Sequence, residues 1–293
     1  MTTVAAALAA ARAKLPAGEA RLLLGHVLQR TAAWLIAHDD EAVDEDALLG
    51  FASLVARRAG GEPVAYLVGH REFFGREFEV SPAVLIPRPE TELLVELAVA
   101  KVGADETPAQ QGGRAKYALL AAADGGAVKI LDMGTGSGCI AVTLALEMLQ
   151  AQVTAVDSSE PALRVARDNA EKHGASLRLL QSDWFGALSG ECFDLVVANP
   201  PYIAAGDPHL AAGDLRHEPQ GALASGADGL DSIRRIVSAA PAHLVPGGQL
   251  WLEHGYDQAE AVCGLLAAAG FADIEQHRDL AGTVRVSGGR LRR

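Results

Sequence analysis

From Val128 onward the chain repeats one pattern, a short apolar run followed by an amphipathic stretch. "VKILDM" precedes "CIAVTLALEML", and "QVTAVD" precedes "PALRVARDNAEKH". "LRLLQSD" and "FDLVVAN" follow, then "GLDSIRRIVSAAPAHL", "QLWLEH" and "QAEAVCGLLAAAG". The apolar runs are too short for core helices and too evenly apolar for strands with one wet face. They read as strands buried on both sides. Strands of that kind alternating with helices call for a mostly parallel sheet covered on both faces, an α/β fold.

Residues 1–70 read differently. In "GEARLLLGHVLQ", Ala20, Leu23, Leu24, Val27 and Leu28 recur at the spacing of one helix face. "DEDALLGFASLVARRAGG" opens on acidic residues and closes on Arg57, Arg58 and Gly60-Gly61. That order suits the helix dipole and a left-handed C-terminus. Its expected buried stripe is Leu48, Leu49, Ala52, Val55 and Ala56. "REFFGREFEV" reads as a β-hairpin turning at Gly75. Pro87 and Pro89 then hold the chain extended, and a helix opens near Glu90. Residues 103–127 have no clean period and read as a loop or loosely helical insertion. The expected organisation is a helical-bundle domain over 1–70, a hairpin linker over 71–87 and the α/β domain over 88–293.

A chain of 293 residues can bury its own core without disulfide or metal staples. Cys139, Cys192 and Cys263 form no C-x-x-C pair, which argues against structural zinc and fits a reducing, cytoplasmic setting. His209, His217 and His254 lack metal-ligand spacing, so no metal is expected. The formal charge of −12 argues against a protein whose task is gripping nucleic acid. No apolar run approaches the ~18 residues of a membrane span. At the N-terminus, Arg12 and Lys14 follow the Ala-rich stretch, the reverse of a signal peptide.

Four motifs fall just past four of the apolar runs. "ILDMGTGSGCIA" sets Gly134, Thr135, Gly136, Ser137 and Gly138 between a strand and a helix, where glycine permits a tight turn and close backbone approach to a ligand. The spacing is G-x-G-x-G, and alone it could be only a turn. "QVTAVD" ends in Asp157, roughly 20 residues on, placed to accept from ribose hydroxyls. Ser158 or Ser159 is expected to cap the helix that contains Pro161. In "QSDW", Asp183 can accept from an adenine amine and Trp184 can lie against the ring. A tryptophan alone is more often a core residue, but its place at the carboxyl edge of the sheet, where ligands of open α/β sheets bind, favours the ligand. Finally, "DLVVANPPY" stops an apolar strand at Asn199-Pro200-Pro201-Tyr202. The two prolines remove two donors, fix two φ angles and push Asn199 into an extended conformation, making a stiff corner.

Glycine turn, acidic residue, Asp-Trp and Asn-Pro-Pro-Tyr, in that order at strand ends, are what a Rossmann-like (class I) S-adenosylmethionine-dependent methyltransferase needs. Together with "GEPVAYLVGHREFFG", "LIPRPETELLVE", "NPPYI", "DPHL", "RHEP", "ALASGADGL" and "LEHG", they make the chain resemble the protein-(glutamine-N5) methyltransferase family, nearest its release-factor branch. The resemblance covers almost the whole chain. It implies S-adenosyl-L-methionine as cofactor, S-adenosyl-L-homocysteine as product, and as substrate the glutamine of a Gly-Gly-Gln loop in a peptide-chain release factor. It implies that Gly134 to Gly138, Asp157, Asp183, Trp184 and Asn199 contact the cofactor. Asn199, Pro200, Pro201 and Tyr202 would hold the glutamine, with Arg88, Glu90 and Thr91 of the Pro-Arg-Pro segment lining the same cleft. The helical domain would dock the release factor, and a monomer with neither nucleic-acid nor membrane contact is expected. A sister branch acting on a ribosomal protein, and a nucleic-acid adenine amine methyltransferase, are the alternatives.

The chemistry suits the corner. An amide nitrogen is a poor nucleophile, because its lone pair is delocalised. The Asn199 side-chain oxygen and the Pro200 carbonyl can each accept one N–H of the substrate NH₂, orienting it and stabilising developing positive charge, while Tyr202 offers a flat face. Asn199, Pro200 and Tyr202 are thus the expected catalytic set, with no dedicated base. Glu253 could reach this cleft or be a solvated carboxylate. Arg234 and Arg235 read as a solvated helix face, and Gly247-Gly248-Gln249 as a routine turn rather than a self-substrate.

Overall fold

The computed structural model describes residues 1–103 and 126–292, so the insertion expected over 103–127 lies, apart from its ends, outside the described residues. The chain divides into two compact units. One comprises Met1–His70 with Ala211–His217, the other Arg71–Leu210 with Glu218–Arg293.

The first unit holds α1 (Val4–Ala11), α2 (Ala17–Leu28), α3 (Ala32–Ala37), α4 (Glu45–Ala59) and α5 (Val64–Val68). In α2, Ala20, Leu23 and Leu24 are buried, as their spacing requires. In α4 the buried residues are Phe51 and Val55, whereas Leu49 is 66% exposed and Ala52 and Ala56 face solvent. The expected stripe is rotated because Phe51 carries the largest apolar area on the helix and takes the inward face. The Asp44 side chain caps α4 by accepting from the Ala47 N–H at 2.8 Å. Gly61, just past α4, has φ +97°. Near the same end, Arg58 donates to both carboxylate oxygens of Glu19, at 2.7 and 2.9 Å, and to Asp214 at 2.6 Å. Arg216 donates to the Gly60 carbonyl at 2.6 Å. The strip 211–217 is thereby fastened to the helices.

A hairpin follows, β1 (His70–Phe73) and β2 (Arg76–Glu79), turning at Gly75 with φ +71° and, from Arg71 on, part of the second unit. The hairpin is part of this unit's core rather than a free linker. Phe73 and Phe78 are fully buried and meet edge to face at 6.1 Å. Next come α6 (Glu92–Gly103), β3 (Lys129–Met133), α7 (Cys139–Glu147), β4 (Gln152–Asp157) and α8 (Glu160–His173). They are followed by β5 (Arg178–Gln181), β6 (Phe193–Ala198), α9 (Asp231–Ala239), β7 (Leu244–Glu253) and α10 (Ala259–Ala268), and the unit closes with β8 (Phe271–Arg278) and β9 (Val284–Leu291).

The sheet has seven strands in the order β5-β4-β3-β6-β7-β9-β8. The first five are mutually parallel, and β9 pairs antiparallel with both β7 and β8. Alternate residues serve opposite faces. Ile130, Val153, Leu195 and Val197 enter the core on one face, while Leu131, Val156, Val196 and Ala198 enter the core on the other. Strand order reverses between β3 and β6, and ligands of open α/β sheets bind at the carboxyl ends beside such a reversal.

Candidate active site

Because β3, β4, β5 and β6 are parallel, the four motifs that follow them share one sheet edge. A cavity of about 490 Å³ opens there, lined in part by Gly134, Gly136, Asp157, Asp183, Trp184, Asn199 and Pro201. A larger cavity, of about 790 Å³, lies at the amino ends of the strands around Lys129, Gln152 and Arg178, and none of the motifs reaches it.

Gly134, Gly136 and Gly138 have φ of +71°, +56° and +80°, the left-handed region that side chains resist. A Cβ on Gly134 would stand 3.6 Å from the Trp184 ring, inside the cavity mouth. A Cβ on Gly138 would lie 3.1 Å from Ala166, so this glycine lets α7 start tightly against α8. Asp157 is held by the turn itself. Oδ2 accepts from the Gly136 N–H at 2.9 Å and Oδ1 from the Ser159 N–H at 2.8 Å. A carboxylate has about four lone-pair sites, so two remain for a ligand. Ser159 caps α8, its Oγ accepting from the Ala162 N–H at 3.3 Å. The hydroxyls of Thr135 and Ser137 do not line the cleft. Both residues are buried, and Thr135 Oγ1 donates to Asp132 Oδ2 at 2.6 Å.

Trp184 is half-buried with φ +51°, and Ser182 Oγ donates to its carbonyl at 2.6 Å. Asp183 is exposed and accepts from Arg235 Nη2 at 2.6 Å. Arg235 is solvated, as its helix-face reading expects, and it also lines the cleft. Arg234 fits the solvated reading better, pairing with Asp228 and Asp231 at the surface.

At the Asn-Pro-Pro-Tyr corner, Asn199 Nδ2 donates to Thr91 Oγ1 at 3.0 Å. Thr91 is 2% exposed. Pro200 is buried and Pro201 half-buried. Tyr202 is not among the residues that line the cavity, and its hydroxyl donates to Glu253 Oε1 at 3.3 Å. Glu253 is 1% exposed, so the solvated alternative fails. Burial pushes its carboxyl up to about 7, opposed by the hydroxyls of Thr91 and Tyr202. Burial also drives the Tyr202 phenol up, reinforced by the neighbouring Glu253 charge. Asp132, beneath the glycine turn, is likewise raised to about 7 by burial. Asp132 Oδ1 and Glu253 Oε2 are buried with no hydrogen-bond partner. Arg88 pairs with the buried Glu218 carboxylate, whose other oxygen accepts from the Ile86 N–H at 3.0 Å. Glu90 is exposed. Gln249 of the Gly-Gly-Gln tripeptide lies in β7, its amide oxygen accepting from Trp251 Nε1 at 3.1 Å.

Residues 1–69 match the model of the PrmC N-terminal domain, and residues 115–226 that of the methyltransferase small domain. The release factor glutamine methyltransferase of Bordetella pertussis is 50% identical over 278 residues, 94% of this chain and 96% of that protein. The protein of the same name from Burkholderia pseudomallei is 51% identical, over 94% and 93% of the two chains. The chain belongs to the release factor glutamine methyltransferase family. Among solved structures, a methyltransferase from Pyrococcus furiosus superposes with a TM-score of 0.52 at 19% identity, over 83% of this chain and 100% of that one. A T. thermophilus 16S rRNA N2 G1207 methyltransferase, solved with AdoMet and guanosine, also gives 0.52, at 21% identity over 76% and 50% of the two chains. These two share the fold.

Three buried side chains of the methyltransferase hold the site from behind and have no local sequence signature. Asn169 in α8 accepts from the Glu79 N–H at 2.7 Å and donates to the carbonyls of Glu79 and Ser137 at 3.0 and 2.8 Å, tying hairpin to glycine turn. Glu218, visible only as part of "RHEP", fixes Arg88. Gln258 donates to the Tyr202 carbonyl at 2.9 Å and accepts from the Gly255 N–H at 2.9 Å. The "ALASGADGL" stretch braces the same corner. The Ile203 N–H donates to the Leu223 carbonyl and the Ser225 N–H to the Ile203 carbonyl, both at 2.9 Å.

Proposed function

We propose that the methyltransferase transfers a methyl group from S-adenosyl-L-methionine to the side-chain amide nitrogen of the glutamine in the Gly-Gly-Gln loop of peptide-chain release factors, leaving S-adenosyl-L-homocysteine. The names of the full-length relatives support the substrate class. The cleft suits the cofactor. Its glycine turn leaves no Cβ beneath Trp184, and Asp157 keeps acceptor capacity after binding two backbone N–H groups. In this reading Gly134 to Gly138 receive the cofactor through backbone, Asp157 accepts from its ribose, and Asp183 and Trp184 take the adenine. When bound, the cofactor supplies an electrophilic methyl group on a sulfonium.

The observation that carries the reading is the Asn199–Thr91 hydrogen bond. Asn199 spends its amide nitrogen on Thr91, so its oxygen is the atom left to accept from a substrate NH₂. With the Pro200 carbonyl, that gives two acceptors for two N–H groups and favours positive charge developing on the nitrogen. Arg88, Glu90 and Thr91 line or brace the glutamine's approach. The helical unit docks the body of the release factor, a role supported by the exposed Leu22, Ile36 and Leu49 on its helices. The reading includes a cytoplasmic monomer, with the three cysteines as free thiols.

The test is transfer of labelled methyl to purified release factor, beside its Gly-Gly-Gln Gln→Ala form, the ribosomal protein and adenine-containing DNA. Label on wild-type release factor alone is expected. Label on either other substrate instead would reassign the branch. Asn199→Ala should lose about 10²-fold in transfer rate while still binding cofactor, and near-normal turnover would exclude Asn199 as the orienting acceptor.

A further inference from the structure

Two walls of the cofactor cleft are not built from strand ends. One is the stretch Ala83, Val84 and Leu85, and the other is Pro219, Gly221 and Ala222. No sheet ladder holds the first. It runs on from β2 to the turn Pro89–Thr91, and Pro87 and Pro89 have no backbone N–H to pair. Glu218, the neighbour of Pro219, holds this stretch from outside. One carboxylate oxygen accepts from the Ile86 N–H at 3.0 Å, and the other takes the Arg88 guanidinium. The Glu218 side chain is fully buried. The contact then continues to the Asn-Pro-Pro-Tyr corner. The Thr91 N–H donates to the Arg88 carbonyl at 3.1 Å, closing the turn, and Thr91 Oγ1 accepts from Asn199 Nδ2 at 3.0 Å.

We propose that Glu218 is a positioning residue for the transfer: by clasping Ile86 and Arg88 it sets the gap between the two cleft walls and, through the turn from Arg88 to Thr91, holds Asn199 with its side-chain oxygen free for the substrate amide. This rests on the function proposed above.

A buried ion pair adds little stability over apolar residues of the same shape, because desolvation offsets the attraction. What it adds here is direction. The two carboxylate oxygens are committed to donors two residues apart, so the chain over 86–88 has one register against Glu218. A glutamine at 218 has the same shape but one acceptor oxygen. It can serve one of the two donors and must turn its NH₂ toward the other, donor against donor. The turn is then free to shift, Thr91 moves with it, and the amide of Asn199 loses its anchor. A misplacement of about 1 Å near the reacting atoms costs about 10²-fold in rate. Arg88 gives Glu218 only Nη2, so a lysine can supply that donor and a methionine cannot.

Calorimetric titration with S-adenosylmethionine and steady-state transfer to release factor, both on the full chain, test the inference. Glu218→Gln and Arg88→Met should each raise the cofactor Kd about fivefold or more and lower kcat by about tenfold to a hundredfold. The KM for release factor should stay within about threefold, since neither change removes a substrate acceptor. Arg88→Lys should turn over about fivefold faster than Arg88→Met or better. The double variant Glu218→Gln with Arg88→Met should be no slower than the slower single one, because the two residues act as one clasp. A folded Glu218→Gln enzyme with wild-type kcat and Kd overturns the inference. So does an Arg88→Lys enzyme as slow as Arg88→Met, or a double variant whose losses multiply. If Glu218→Gln does not fold, the comparison of Arg88→Lys with Arg88→Met decides. A wild-type enzyme that binds S-adenosylmethionine but leaves release factor unmethylated would overturn the proposed substrate instead, and the Kd values would still judge the clasp.

Discussion

Asn169→Ala should separate the enzyme's scaffold from its chemistry. Asn169 is fully buried and makes three hydrogen bonds, one from the Glu79 N–H and one each to the Glu79 and Ser137 carbonyls. Glu79 is exposed, so its backbone groups can turn to water at small cost. Ser137 is 2% exposed, so its carbonyl cannot. A buried polar group deprived of its partner costs about 1–3 kcal/mol and an ordinary hydrogen bond about 1, which puts the substitution near 3 kcal/mol. For a unit of this size that is a fall in Tm of about 6–12 °C. Because Ser137 lies in the glycine turn, affinity for S-adenosylmethionine should fall as well. Thermal melting followed by circular dichroism and titration calorimetry read the two effects. Asn169→Asp is the control, since it can still accept from Glu79 N–H but can donate to neither carbonyl, so it should lose nearly as much. A loss below about 1 kcal/mol in Asn169→Ala would refute the claim that this side chain staples the hairpin to the turn.

Two further outcomes follow from the same turn. Gly138→Ala must hold a side chain at φ +80° and press it against Ala166, and should destabilise the unit by about 2 kcal/mol or more; a Tm within about 2 °C of wild type would contradict it. Asp157→Asn replaces one acceptor oxygen with an NH₂ that faces a backbone N–H, so S-adenosylmethionine affinity measured by calorimetry should drop about tenfold or more, with release-factor affinity unchanged.

Much of the α/β core is legible in the sequence, because its signals are local. Buried parallel strands are short apolar runs, the Ser159 cap precedes its helix, and Gly75 marks its turn. The last two strands are not legible. β8 is "FADIEQHR", polar at most positions because it is an edge strand with one residue buried. β9 carries Gly288-Gly289, which weaken any strand signal, yet Gly288 is needed because the Trp251 ring and the Leu250 carbonyl fill the place of a Cβ. At the site, the residues that face the cleft follow from motif order at strand ends. Those behind it do not. Asn169 with Glu79, Glu218 with Arg88 and Gln258 with Tyr202 are partners far apart in sequence, and no periodicity encodes such pairs. Arg235 and Glu253 show the same limit. Their charge is legible, but only the fold decides that one lines the cleft and the other is sealed from water.

The strip 211–217 bears on how such a protein can be taken apart. The backbone leaves the catalytic unit soon after the Asn-Pro-Pro-Tyr corner, is fastened to the helices by Arg58 and Arg216, and returns at Glu218, which grips Arg88. The helical unit is therefore not a detachable N-terminal appendage. A chimaera that exchanged only the first 70 residues would strand Asp214 without its arginine, a few positions from the carboxylate that grips Arg88. Recombination, natural or engineered, can respect this enzyme's seams only by moving two pieces of sequence together.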